Sequence, residues 1–270
     1  MIFLTLIFNT FREAIAKKIF IGFFIISTII IVIFFIVVNM TSIEGTLNLV
    51  EIGGQDAVRQ FVIGAQIFML NISYLLIITF CLISVSSFIP TMLEKGNIDI
   101  LLSKPVSRSK IILGKFTGGV LLIFISLVYL LGAIWIIISI KSGFWHVPFL
   151  YTIFWLTLSF AIIYSVVIIL GLTTQSSVLT IIITLFLVFV ILPVLGARES
   201  AIFAFVNNDT IRFIVNFFYY ILPKPSDINI ITANIVNGNP VESYQPVYTS
   251  LLFMLTMISL SILYFKKKDY

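Results

Sequence analysis

Hydrophobic positions in this chain neither alternate nor mark one stripe of a helix; they fill whole segments. Runs at 19–38, 61–89, 116–140, 149–172, 178–195 and 247–265 are apolar on every face. Each is close to or above the roughly 20 residues that carry a helix, at about 1.5 Å per residue, across the roughly 30 Å hydrocarbon core of a bilayer. Inside lipid the backbone must satisfy its own hydrogen bonds, so helices are expected, whereas a membrane barrel would show segments of about ten residues with alternating polarity. The pattern predicts an all-α integral membrane protein with six transmembrane helices. Composition agrees: 60% of the 270 residues are hydrophobic, 10% are charged, and the mean hydropathy is +1.20.

Charge then orients the spans. Six spans put both termini on one side, and placing that side in the cytoplasm gives it Arg12, Lys17, Lys18, Lys95, Lys104, Arg108, Lys110, Lys115, Lys266, Lys267 and Lys268, eleven of the sixteen basic residues. The far side keeps Arg59, Lys141, Arg198, Arg212 and Lys224, together with seven of the eleven acids. This is the positive-inside bias of a multi-pass protein of the cell (inner) membrane, so the basic balance reflects topology and not nucleic-acid binding. The first span is full length and no small-x-small site follows it, so it is expected to stay as an anchor.

Between spans the pattern changes. Leu4, Phe8, Phe11, Ile15 and Ile19 recur at helical spacing with Thr5, Asn9, Arg12, Glu13 and Lys17 elsewhere on the wheel, which predicts an amphipathic elbow helix over 1–18, lying in the interface and turning into span one. Segment 39–60 mixes glycines with acids and reads as an exposed connection. Segment 173–177 reads as a tight uncharged turn. Segment 196–246 is the longest without a span, yet 211–222 is apolar and only about 18 Å long as a helix, too short to cross. That stretch dips into the outer leaflet or packs over the spans, and a second short helix is expected over 227–238.

Segment 94–115, EKGNIDILLSKPVSRSKIILGK, packs seven charges between two spans. Ile98, Leu101 and Leu102 form an apolar edge at i, i+3, i+4, which suits a short helix between Gly96 and Pro105. Pro105 biases Lys104 away from helix, and Ser107 stands as N-cap of a helix running from Arg108 into span three. Topology alone accounts for the Lys and Arg excess but not for Glu94, Asp99 or the apolar edge.

The residues of catalysis are missing. Gly114-Lys115 precedes a helix, but Ser109 stands where a P-loop needs glycine and Phe116 where it needs Ser or Thr. His146 is the only histidine and Cys81 the only cysteine, which rules out a multi-histidine or thiolate metal site within one chain. No catalytic, cofactor-binding or metal residue is assigned. Polar residues inside spans, such as Gln66, Asn71, Thr180 and Thr184, either bond neighbouring helices or line a path; Asn71 is the one most costly to leave against lipid.

The charged segment resembles the coupling helix of ABC-2 type (type V fold) permeases: a glutamate, a Gly-containing turn, a leucine pair, Lys-Pro and Ser-Arg, then Gly-Lys before span three. The plan of elbow helix, six spans and an apolar outer segment like the family's re-entrant helices, within a single permease domain over 1–270, resembles the same family. The resemblance implies an ATP-driven exporter in which Glu94, Asp99, Leu101, Lys104, Pro105 and Arg108 meet a separate ATP-binding-cassette subunit, with Phe8, Arg12 and Lys17 on the elbow. It implies two such ATPases carrying ATP and magnesium, and a second permease chain, identical or related. It also places spans two and five at a central interface, where Phe68, Asn71, Thr180 and Thr184 would line the path. A scaffold or anchoring subunit that moves no substrate is the alternative reading.

Overall fold

The structure, a computed structural model, describes residues 2–98, 106–205 and 208–268, with side chains placed except at 2–3, 19–20, 40–54, 80–81, 84 and 201. It is helical throughout, and no strand occurs among the described residues. Six helices are long and apolar enough to span: Ile21–Asn39, Gln55–Thr79, Arg108–Ser142, Val147–Thr174, Ser177–Gly196 and Gln245–Lys267.

Helix α1, Ile2–Ala16, is followed by Lys18 in the left-handed conformation (φ 57°), and this one residue turns the chain into α2, Ile19–Leu76. The exposed connection expected over 39–60 is instead helical backbone, since α2 holds both of the first two spans. The element is not a straight rod. Laid straight, 58 residues would reach about 87 Å, yet Lys17 before it and Thr91 beyond it are 3.0 Å apart. Thr28 meets Tyr129, and Arg59 lies over Phe144, so the chain reverses between Thr28 and Arg59.

Span two continues through a π-helical turn at Ile77–Cys81 into α3, Leu82–Ser86, and α4, Phe88–Met92. Pro90 does not break α4. It falls in the first turn of α4, where its missing N–H has no helical partner to lose. Helix α5, Arg108–Ser142, begins at the N-cap Ser107 as expected, although that serine's side chain makes no cap bond.

Helix α6, Tyr151–Thr174, is the axis of the molecule. Its FAIIYSVVIILG stretch is apolar on all sides and is buried by α5, α7 (Ser177–Phe186), α10 (Pro225–Asn237) and α11 (Gln245–Lys267). Gln175, also left-handed at φ 53°, makes the tight turn into α7, whose N-cap Ser176 accepts a bond from the Leu179 amide.

Span five passes through a second π-helical turn, Leu187–Ile191, into α8, Leu192–Gly196. In one half of the bundle α3 packs on α7; in the other, α10 packs on both α2 and α8. Each π turn therefore falls where its span passes from one partner to the other, and the extra residue per turn re-aims the face that follows. Among the described residues, segment 196–246 holds a π-helical turn at Arg198–Ile202 and two short α-helices, α9 (Asp209–Ile221) and α10, the latter two close to the bounds its sequence suggests. Of the two α-helices, α10 enters the bundle: Ile228 and Val236 are fully buried, while α9 has no buried residue.

Candidate functional site

One end of the bundle gathers α1, α4, the start of α5 and the end of α11, and here most basic side chains lie. Glu13 is its centre. Its carboxylate accepts from the Lys115 ammonium and pairs with Lys17 at 3.0 Å, the second being an i, i+4 pair across the end of α1. Lys17 also donates to Ser87 Oγ (3.2 Å) and Thr91 Oγ1 (3.0 Å), which ties α1 to the end of span two. One carboxylate faces two ammonium groups, and the ring of Phe88, 5.4 Å from Lys17 and 5.7 Å from Lys115, offers its negative face to the remaining positive charge. Buried Tyr164 of α6 donates to the Lys115 carbonyl (3.2 Å) below the pair.

Glycine makes this arrangement fit. A Cβ on Gly114 would lie 2.7 Å from Cβ of Leu6, and one on Gly118 would lie 2.8 Å from Cβ of Thr10. Helix α1 rests its Leu6, Thr10 and Ala14 row directly on the backbone of α5. The opposite stripe of α1, Leu4, Phe8 and Ile15, stays exposed. Between α1, α4 and α5 a cleft of about 270 Å³ is lined by Asn9, Glu13, Thr91, Asn97 and Lys115 among others.

Arg108 performs a different task. Its guanidinium donates to the carbonyls of Phe265 (2.9 Å), Lys266 (3.3 Å) and Lys268 (2.6 Å) and lies 5.7 Å from the centre of the Phe265 ring. The last carbonyls of a helix have no intrahelical donor and carry the negative end of its dipole, so a fixed cation there is favourable twice over. Glu94 sits at a turn completed by left-handed Gly96 (φ 90°) and is exposed, while Ile98 beneath it is buried.

Of the residues proposed to couple, Glu94 and Arg108 are thus brought to one end, and Asp99, Leu101, Lys104 and Pro105 lie outside the described residues. On α1, Phe8 and Arg12 are exposed and Lys17 is tied into the Glu13 network. The four path candidates do not share a face. Phe68 is 61% exposed and Asn71 is exposed, with its Oδ1 accepting from Asn229 of α10. Thr180 and Thr184 are buried; Thr180 donates to the Ser176 carbonyl, and Thr184 Oγ1 has no hydrogen-bond partner among the described residues.

Sequence reasoning passed over two features. The Gly114-x-x-x-Gly118 spacing is a legible sign of close helix approach. The second lies at the opposite end, where Gln66, fully buried, meets His146 Nδ1 at 2.7 Å, and Lys224 is buried among Tyr219, Thr249 and Ser250. Burial holds His146 below its ordinary pKa. No motif announces either contact, because the partners are 80 and 25 residues away in sequence.

Six apolar helices, one of them buried among the others, with ionic side chains at the ends, define a multi-pass membrane protein. The chain belongs to the ABC-2 family of transporter proteins, whose family model matches residues 4–270. No relative among the curated proteins matches it.

Proposed function

We propose that this chain is the membrane-spanning permease subunit of an ATP-driven exporter, with ATP hydrolysis on separate subunits. Family membership over nearly the whole chain carries the reading, and the fixed charged end supports it. The basic end faces the cytoplasm in this reading, so both termini do. There the 94–115 segment and the elbow over 1–18 meet two ATP-binding-cassette subunits that hold ATP and magnesium. Glu94, Asp99, Leu101, Lys104, Pro105 and Arg108 form or brace that contact, and the Glu13–Lys17–Lys115 network passes its displacement to spans one, two and three together.

A second permease chain completes the path. Phe68 and Asn71, on the open face of span two, line it. Thr180 and Thr184 point inward and support the span that borders it. Segment 196–246 closes its outer end. The test is copurification: the tagged chain, extracted with mild detergent, brings down a nucleotide-hydrolysing subunit, and vanadate-sensitive ATP hydrolysis persists after reconstitution. A chain that purifies with no ATPase under conditions preserving its fold sinks the reading.

A further inference from the structure

At the end opposite the ionic network, Lys224 lies between two prolines, 223 and 225, and serves as N-cap of α10. Pro225 keeps the residue before it out of the helical region, and Lys224 is accordingly at φ −123°, ψ 60°. That fixed backbone aims its N–H at Ser250 Oγ (3.0 Å) and carries its side chain inward to Thr249 Oγ1 (2.9 Å), both in the second turn of α11. One residue therefore holds the α9–α10 pair against the last span.

The surroundings fit a charged amine poorly. Lys224 is 5% exposed, and its Nζ hydrogen-bonds Thr249 alone among the described residues, so two of an ammonium's three donors find no acceptor. From α10, Asp227 stands three residues away, but its Oδ2 already accepts the Tyr219 hydroxyl (2.8 Å). From α9, the Tyr219 and Tyr220 rings lie 4.6 and 5.7 Å from Nζ and favour the cation. The turn before α9 sends Arg198 onto the same Tyr219 ring at 3.5 Å, a like charge whose own carboxylate partner is exposed Glu199. From α2, Tyr74 bonds Ser226, and α11 contributes only hydroxyls here. A cavity of about 10 Å³ beside Lys224 and Asp227 has room for about one water, enough to exchange a proton.

We propose that Lys224 is a reversible proton-binding site that sets how firmly the α9–α10 pair is seated on the last span: the neutral amine closes the seat and the charged amine loosens it. The balance agrees with that geometry, because desolvation outweighs Asp227 and brings the group down to about 8, while Arg198 pushes the same way. The ligand is a proton from the solvent at that end of the molecule.

Hydrogen exchange of the α10 amides in the full chain, reconstituted in nanodiscs, tests this at pH 6.5 and pH 9 after correction for intrinsic rates. If opening frees Lys224 to its ordinary pKa, linkage makes opening about tenfold more frequent at pH 6.5 than at pH 9. Lys224→Met, of similar length and without charge, should show the slower rate at both pH values, with Lys224→Gln as the alternative neutral variant if the Met protein does not fold. Equal corrected rates in the wild type at the two pH values overturn the proposal. So does a folded neutral variant that keeps the tenfold difference.

Discussion

Lys17, Lys115 and Lys224 are drawn into the protein, and what separates them is an ion pair. Lys17 and Lys115 share Glu13, whereas Lys224 makes no ion pair among the described residues, and Asp227, the carboxylate near it, already accepts the Tyr219 hydroxyl. A charge buried without a counter-ion weakens the folded state, so its protonation has a thermodynamic signature. Folded Lys224 releases its proton near pH 8 while the unfolded chain keeps it to about 10.5, so the unfolded state binds more protons between those values and stability rises with pH. Tyr219 acts the other way: desolvation first, then its bond to Asp227, lift it from 10 to about 12, so above pH 10 the unfolded state loses protons first and stability falls. The melting temperature of the purified protein should climb from pH 7.5 towards 10 and then turn down; Lys224→Met should remove the climb and keep the downturn. A climb that survives in Lys224→Met would place its origin in another group.

Among the elements, α1 depends most on the absence of side chains elsewhere. Its seat on α5 is bare backbone at Gly114 and Gly118, and any branched residue there meets Leu6 or Thr10. Gly118→Val should lift α1 from α5 at a cost of about 1–3 kcal/mol, the usual range for overpacking. The resulting loss of the Glu13–Lys115 pair would show as faster proteolysis before residue 19, with the spans still protected. The helical elements themselves were legible in the sequence because their runs are long and apolar on all faces, and the break between α9 and α10 was legible because Pro223 and Pro225 mark it. Two features were not. Helical backbone occurs through 39–60 despite its glycines, which lower helix propensity without forbidding it, although the chain reverses between Thr28 and Arg59. The π turns leave no residue signature, since they answer to which neighbour each half of a span meets.

At the scale of the molecule, the ionic end is closed by contacts between distant parts of the chain. The sequence showed that basic residues collect there but not how they pair, because Glu13 and Lys115 are 102 residues apart and Arg108 and Phe265 are 157 apart. The structure gives different surroundings to two charged residues of the 94–115 segment. Glu94 is exposed, so Glu94→Lys should leave stability within about 0.5 kcal/mol of wild type, and under the proposed coupling role it should uncouple ATP hydrolysis from transport. Arg108→Glu removes the donor from three terminal carbonyls and should lose about 2 kcal/mol or more of stability as well. Equal stability of the two variants would show that the Arg108 contacts contribute nothing.

The partnership of Arg108 with the end of α11 also bears on the order in which the molecule is made. A ribosome adding about 5–20 residues per second needs roughly 8–30 s to travel from Arg108 to Phe265, and spans three to five enter the membrane during that time with the guanidinium waiting. The first helix waits too, since Gly118 must emerge before α1 has anywhere to lie. Closure of this end therefore waits for the last turn of α11, and a ribosome that stops before reaching it leaves behind spans that have inserted without the contact that joins α5 to α11.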